Sequence, residues 1–507
     1  MTMIRAAAFA ALFLCAPAIA LAQTVTLTAR DGSLELSGRL LNFDGEFFQL
    51  EGNFGRVTVD GSKMICHGRA CPDDGPFIAG VSFSGDAMVV RRLMPALIEA
   101  FGRARGYSTL KVVQSDRRFR YDLREASPAR LVAQFSFAAS TSGEGFEDLI
   151  ADRADIVLAL RPPQSERSQA RSGIGRVLGL DAIVPVVAAE NPLTAITRAR
   201  LAQAFGRKLT SADLWEGEKP LRLHVPVQQS GLMRELRRRV LIPEGQVLGM
   251  PVTRHRETGQ LTDAVARDPN ALGVTTYSDI GAAVPLVVAG PCAFASVATA
   301  DALRTVDYPL TLPLFLYPPA RRLPKVAREF LAFTRSPEAR LAVQQAGFVD
   351  QYLGTVPIEA QGERLAHAIE AAKEPGAQAD LRRAVERIEG AARLTLTFRF
   401  EDGSTDLDAI SQSNIGLLAG ALNRGEFTGR TLLFSGFSDG TGPAADNREL
   451  SLDRARKVRD AVRAATTEEA MASLKLLADG FGEAMPLACD EVDWGRKINR
   501  RVEVWLR

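Results

Sequence analysis

The texture of this chain changes three times along its length, and each change confines one segment to one kind of fold. Between residues 24 and 75, polar and apolar residues alternate in short runs (Thr24–Thr28, Leu34–Leu41, Phe47–Leu50, Arg56–Val59). The turn pairs Asp31-Gly32, Asp44-Gly45 and Asp60-Gly61 punctuate them, which predicts antiparallel hairpins in a small β module. From Phe77, apolar β-rich runs such as Ile156–Leu160, Ala182–Val187 and Leu221–Val227 alternate with helical patterns such as Val89–Phe101, Ala199–Phe205 and Ala327–Thr334. Strands alternating with helices predict an α/β domain with a largely parallel sheet. Residues 357–392 are polar and helical in period (Leu365, Ile369, Leu381, Val385, Ile388), and Glu374-Pro375-Gly376 breaks them into two helices. A compact α/β unit closes the chain. At 507 residues the chain is too long for one ordinary domain. The expectation is therefore an α/β multidomain protein: a small antiparallel β module over 23–76, an α/β domain over 77–355, a helical linker over 356–392 and a C-terminal α/β unit over 393–507.

Residues 1–22 read as a secretory signal peptide, with Arg5 as the positive start, Ala6 to Ile19 as the apolar stretch and Ala20-Leu21-Ala22 as the cleavage site. The apolar run is short for a spanning helix, and no later stretch is long and apolar enough to span. Cys15 follows Phe13-Leu14, where a lipoprotein signal wants small residues. The expected compartment is the oxidising periplasm, where Cys66 and Cys71 form a local disulfide, two free thiols being the alternative. Cys292 and Cys489 fall in different domains and are expected to be buried small hydrophobes. With 62 basic and 60 acidic residues the chain has no electrostatic case for binding nucleic acid. Its four histidines (His67, His224, His255, His367) show no metal-ligand spacing, so neither a metal nor a cofactor is expected.

The C-terminal unit carries the most specific pattern. The strand Leu394–Phe400, Ser404 and a helix through Ile410–Leu422 precede Leu432-Leu433-Phe434-Ser435-Gly436-Phe437-Ser438-Asp439-Gly440-Thr441-Gly442. Asn447, Leu450-Ser451, Arg454-Ala455, Val458, Gly480-Phe481-Gly482, Pro486 and Asn499-Arg500-Arg501-Val502-Glu503 follow in order. This segment resembles the peptidoglycan-binding domain of the OmpA family over nearly all of 393–507. The resemblance implies that Asp439 and Arg454 clamp the free end of diaminopimelate in the stem peptide, with Ser438 and Asn447 completing the site. That ligand end is a zwitterion: a carboxylate takes its ammonium, and a guanidinium fork takes its carboxylate. The alternative is a structural Asp–Arg ion pair. Phe437-Ser438 replaces the family's His or Tyr followed by Thr and keeps a hydroxyl; Arg500 and Arg501 belong mainly to the closing strand.

Residues 77–355 resemble the periplasmic phosphate-binding proteins of ABC transporters, a two-lobed α/β fold. The resemblance rests on Gly80-Val81-Ser82-Phe83-Ser84-Gly85-Asp86, Ser142-Gly143-Glu144-Gly145-Phe146, Ala154-Asp155-Ile156, Arg161-Pro162, Asn191-Pro192, Ser230-Gly231 and Asn270-Ala271-Leu272-Gly273, taken in order. It implies an oxyanion site at Ser84, Gly85, Ser140, Ser142, Gly143, Arg161, Ser230 and Gly231. Ser/Gly loops opening helices present free N–H groups and the positive helix end to an anion. The chain departs from that pattern at Leu160, Pro226 and Leu232, and it adds the carboxylates Asp86 and Glu144, which repel phosphate by like charge. The resulting expectation is a non-enzymatic receptor for phosphate or a related oxyanion, tethered to peptidoglycan near the outer membrane, with an ABC permease as a further implied partner. The alternative is an envelope sensor or protein-docking module on the same fold.

Overall fold

Alternation along the first strands places Val25, Leu27, Phe48, Leu50 and Met64 in one small core. The computed structural model describes residues 24–507 apart from 73, 74, 128, 218, 291, 293, 374 and 402; the expected signal over 1–22 lies outside the described residues. Strands Thr24–Ala29, Glu35–Phe43, Phe47–Gly52, Gly55–Asp60 and Met64–His67 form a five-stranded antiparallel sheet. Cys66 and Cys71 are bridged, as expected, with Cα atoms 5.7 Å apart. Asp44 shapes a turn by accepting the backbone N–H groups of Glu46 and Phe47 at 2.9 and 2.7 Å. Its other oxygen accepts from Arg322 Nε of the central domain at 2.6 Å, and the same guanidinium lies 4.4 Å from the Phe47 ring. One turn therefore folds the module and docks it.

The central domain is built on one curled sheet of eleven strands. Parallel pairing holds among Ile156–Ala159, Ala79–Asp86 and Leu131–Ser140, and among Thr253–His255, Arg222–Pro226 and Ala271–Thr276. These two groups are the sheets of two lobes, each with its own apolar core. Between them run Arg176–Val187 and Thr311–Tyr317, antiparallel to each other and to their neighbours. The edge hairpin Tyr107–Ser115 with Arg118–Glu125 is antiparallel too. The sheet is thus mixed rather than largely parallel, because two long central strands tie the lobes together in opposite directions. His224 and His255, distant in sequence, meet at the ends of paired strands, Nδ1 to Nε2 at 3.0 Å.

The C-terminal unit has a five-stranded sheet ordered Thr355–Pro357, Ala392–Arg399, Arg501–Leu506, Thr431–Phe437 and Lys475–Gly480. Helices Ala409–Asn423 and Ala444–Ala465 cover one face through Leu418, Leu422, Ala455 and Val458. Residues 356–392, expected to link domains, hold helices Gly362–Ala371 and Pro375–Ile388. Ala368, Leu381, Ala384 and Ile388 pack on Leu433, Phe437 and Trp505 of the opposite face. Among the described residues no helix is long and apolar enough to cross a membrane.

The two domains are joined by buried charge. Asp307, just ahead of the central strand Thr311–Tyr317, accepts from Arg393 Nη1 at 2.8 Å and from Arg399 Nη2 at 2.9 Å, both on the C-terminal sheet. Glu503, fully buried, accepts from Arg364 Nη2 at 2.6 Å and Arg501 Nε at 2.7 Å, with Arg393 3.6 Å away. Burial alone would raise both carboxyls. The guanidiniums override it: Arg393 and Arg399 hold Asp307 low, and Arg364, Arg393 and Arg501 hold Glu503 well below the usual carboxylate range. A second joint corrects an expectation. Cys292 and Cys489 are not isolated hydrophobes but are bridged across the domains, with Cα atoms 5.5 Å apart. Docking brings the exposed loop after Val287–Ala289 onto the buried Cys489, a proximity that parsing the chain into separate domains hides.

Asp307→Ala leaves two buried guanidiniums without their carboxylate, so it is expected to destabilise the C-terminal unit by about 3–5 kcal/mol. Urea unfolding read by Trp494 and Trp505 fluorescence checks this, and a loss below about 1 kcal/mol would show the cluster to be dispensable. Because both carboxyls are lowered, their contribution is complete above the ordinary carboxylate pKa and is lost as pH falls through the lowered values.

Candidate functional site

In the C-terminal unit the geometry follows from close approach. Gly436 and Gly480 are register partners on the parallel strands Thr431–Phe437 and Lys475–Gly480. A Cβ at Gly436 would overlap the Ser451 carbonyl, and one at Gly480 would overlap the backbone at Leu452 and Arg448. Helix Ala444–Ala465 therefore lies directly on these strands, with Asn447, Ser451 and Arg454 on its buried side. The strand ends by delivering Ser438 and Asp439, both buried. Ser438 N–H donates to the Gly482 carbonyl at 2.7 Å, and Asp439 Oδ1 accepts from Thr441 N–H at 3.1 Å.

Asp439 does not pair directly with Arg454. Its Oδ2 accepts from Arg500 Nη1 at 2.8 Å, so the residue weighted least from sequence is its nearest cation. The only prior signal was its place in the Asn499-Arg500-Arg501 run. Arg454 stacks 5.1 Å from the Phe400 ring centroid and leaves Nε and Nη1 buried with no hydrogen-bond partner. Burial, reinforced by Arg500 and opposed by Asp439, lowers the Arg454 pKa, so all three groups share one electrostatic environment. Ser438 Oγ and Asn447 Nδ2 are also buried without partners. Unpaired buried donors are costly, and four such atoms in one region leave binding capacity unspent.

The central cleft is arranged differently. Strand Ala79–Asp86 ends in Ser84, Gly85 and Asp86, and φ of 147° at Gly85 permits a contact with Leu158 that a Cβ would block. Ser84 Oγ donates to Asp148 Oδ2 at 2.6 Å, and Ser140 Oγ donates to the Gly85 carbonyl at 3.2 Å. Ser142, at the start of helix Ser142–Ile150, uses its hydroxyl to accept Leu160 N–H at 3.0 Å. Thr141 is the cap of that helix, and its hydroxyl donates to Glu144 Oε2 at 2.8 Å. Ser230 caps helix Gly231–Leu236 by accepting Met233 N–H at 3.1 Å. Gly143 faces Arg161, whose pKa burial lowers.

Asp86 reaches across to the other lobe, as the Arg92–Asp279 ion pair also does. It is the last residue of its strand rather than part of a helical turn, and its Oδ1 accepts Met88 N–H at 3.0 Å. Its Oδ2 has no partner and sits against Gly231 of the other lobe, so closely that a Cβ there would overlap it. Burial pushes the Asp86 carboxyl up to about 7; Glu235 adds to this, while Met88 N–H and Arg234 oppose it. The structure therefore brings Asp86 to the Ser230-Gly231 opening, while the hydroxyls of Ser84, Ser140, Ser142 and Ser230 are engaged within the protein.

Residues 399–500 match the OmpA family, and residues 132–338 match a PBP superfamily domain. Protein SphX of Synechococcus elongatus is 27% identical over 240 residues, which covers 44% of this chain and 68% of that protein. Outer membrane porin F of Pseudomonas fluorescens is 36% identical over 69 residues, 14% of this chain and a 20% share of the porin's length. Among solved structures, an ABC-type phosphate transport receptor from Vibrio cholerae is 16% identical with a TM-score of 0.43, covering 53% of this chain and 99% of its own. A possible phosphate binding protein from Planctomyces limnophilus is 18% identical with a TM-score of 0.42, covering 59% of this chain and 100% of its own. The chain thus carries a PBP superfamily domain followed by a C-terminal OmpA-family domain.

Proposed function

We propose that the chain is a periplasmic solute-binding protein held on the cell wall, with its C-terminal unit gripping diaminopimelate of the peptidoglycan stem peptide. The observation that carries the anchor is Arg454, buried beside Asp439 with Nε and Nη1 unpartnered. A ligand carboxylate is received by the unspent N–H donors of this guanidinium, and Asp439 takes the ammonium. Arg500 keeps Asp439 oriented until the ammonium arrives. Asp439→Ala and Arg454→Ala in the full chain are each expected to reduce co-sedimentation with purified peptidoglycan to background. Arg454→Lys is expected to bind weakly, because an ammonium lacks the fork. Full retention by both alanine variants would mean that the pair is only structural.

The solute is a small oxyanion, phosphate first, delivered to an ABC permease. Its access to the Ser230-Gly231 opening depends on Asp86. A neutral Asp86 donates a hydrogen bond to an anion, whereas an ionised one repels it. Phosphate titration of the full chain is expected to show binding at about pH 5.5 that weakens at least about tenfold by about pH 8.5. Asp86→Asn keeps the acceptor for Met88 N–H and should remove this pH dependence. Stability carries the same signature with a fixed sign. A raised carboxyl pKa makes the folded state lose stability as pH rises from about 4 to about 7 and remain level above. Asp86→Asn should therefore melt a few degrees higher than the parent near pH 8 and equally near pH 4.

A second reading, an envelope sensor or docking module, is favoured by one observation: Asp86 already fills the opening, and the surrounding hydroxyls are engaged. Absence of phosphate binding at both pH values, in the parent and in Asp86→Asn, would establish that reading over the first.

A further inference from the structure

The two domains enclose a passage that neither family site accounts for. One cavity of about 410 Å³ runs between Leu160 and Arg238 on the central domain and Phe400 and Ile498 on the C-terminal unit. A second, of about 690 Å³, extends to Arg500. They share Arg198, Pro243, Trp494 and Lys497, so two residues of each domain face one another along the passage. The passage meets the proposed anchor site at two points. Arg500 lines the second cavity and donates to Asp439, and Phe400 lines the first beneath the Arg454 guanidinium.

Arg198 is the group in this passage with binding capacity to spare. It opens helix Arg198–Phe205, its side chain is 14% exposed, and its Nε is buried with no partner. Its carboxylate neighbour, Glu244, is 3.4 Å from Nη2, long for a charge-assisted hydrogen bond. The guanidinium lies 5.8 Å from the Trp494 ring centroid, a cation–π contact across the domain boundary. Burial lowers its pKa, with Glu244 acting the other way. Arg238 and Arg239 pair with Glu235 and Arg496 with Asp493, while Arg399 pairs closely with Asp307 and keeps only a buried Nε unpartnered. Among the described residues seven cations and five carboxylates line the two cavities, and three of those cations are offset by Glu235 and Asp307 behind the wall, so the case for an anion rests on Arg198 itself.

We infer that the central domain forms the second wall of the peptidoglycan site, with Arg198 receiving the free α-carboxylate of the stem peptide's D-glutamate. This rests on the reading of Asp439 and Arg454 as the diaminopimelate clamp. The chemistry follows from the ligand. The γ-linkage of D-glutamate leaves its α-carboxylate free one residue before diaminopimelate, and the cavity lined by Arg198 reaches Arg500, which donates to Asp439. A planar guanidinium with an unpartnered Nε–H suits a carboxylate, and amidation of that carboxylate removes both the charge and one acceptor.

The test is calorimetric titration of the full chain with three probes: meso-diaminopimelate, the tripeptide L-Ala-γ-D-Glu-meso-diaminopimelate, and the same tripeptide amidated at the D-Glu α-carboxylate. The parent is expected to bind the free-acid tripeptide about tenfold more tightly than the amidated one. Arg198→Gln should lose that difference while binding the amidated tripeptide and diaminopimelate as the parent does. Equal affinity of the parent for the two tripeptides overturns the inference, and so does discrimination that survives in Arg198→Gln. The parent comparison decides the matter even if the variant fails to fold. Asp439→Ala separates the two claims: if it binds all three probes like the parent, the clamp reading fails, whereas loss of all three leaves Arg198 judged on the tripeptide pair alone.

Discussion

A partly buried carboxylate held between two arginines of another domain fixes the docking on which the passage between the domains depends. Asp307 is held low by Arg393 and Arg399, and Arg393 also lies 3.6 Å from Glu503, itself gripped by Arg364 and Arg501. The cluster therefore runs from the central domain, through two strands of the C-terminal sheet, to the helix Gly362–Ala371. Such a network is weak evidence for net stability, since desolvating each ion costs several kcal/mol. Its value lies in specificity: removing any member strands a buried charge, so one docking arrangement is favoured over others. The Cys292–Cys489 bridge closes a chain separation of 197 residues across the same boundary and reinforces that arrangement.

Fixed docking is what allows one site to borrow from another domain. Asp439 and Arg454, proposed as the clamp, are positioned by Gly436 and Gly480, which bring a helix onto the sheet, and this is local to the C-terminal unit. Arg198, by contrast, belongs to the central domain and reaches the passage only because the joint is rigid. Arg198 beside Trp494 and Arg454 beside Phe400 share one arrangement: a guanidinium in cation–π contact with an aromatic ring that keeps N–H donors unpartnered.

Much of this was legible in the sequence where the signal was local. Alternation and Asp-Gly turns located the first module, and six residues sufficed for the Cys66–Cys71 bridge. The spaced pattern around Gly436, Asp439 and Arg454 marked the C-terminal unit because close packing there demands particular small residues. What escaped were pairings between distant segments. Cys292 with Cys489, Asp307 with Arg393, His224 with His255 and Asp439 with Arg500 leave no periodicity in the chain. The central serines show the complementary failure. Ser142 and Ser230 stand at helix openings while Ser84 lies within a strand, and all three hydroxyls face inward partners that sequence spacing does not reveal.

The same joint bears on whether the central cleft can work as a receptor. Binding folds of two lobes admit a ligand by rotation about the strands that connect them. Here helix Ala409–Asn423 of the C-terminal unit braces that region. Ser413 Oγ accepts the backbone N–H of Val177, on a connecting strand, at 2.9 Å. Ala409 and Ile410 pack on the core of one lobe, and Gly416 lies against Arg335 beside the core of the other. A helix that touches both lobes opposes their separation, while Asp86 fills the opening between them. Opening therefore requires breaking contacts with the wall-anchoring unit as well as withdrawing Asp86 from Gly231. Helix Ala409–Asn423 thus ties the geometry of the central cleft to that of the C-terminal unit.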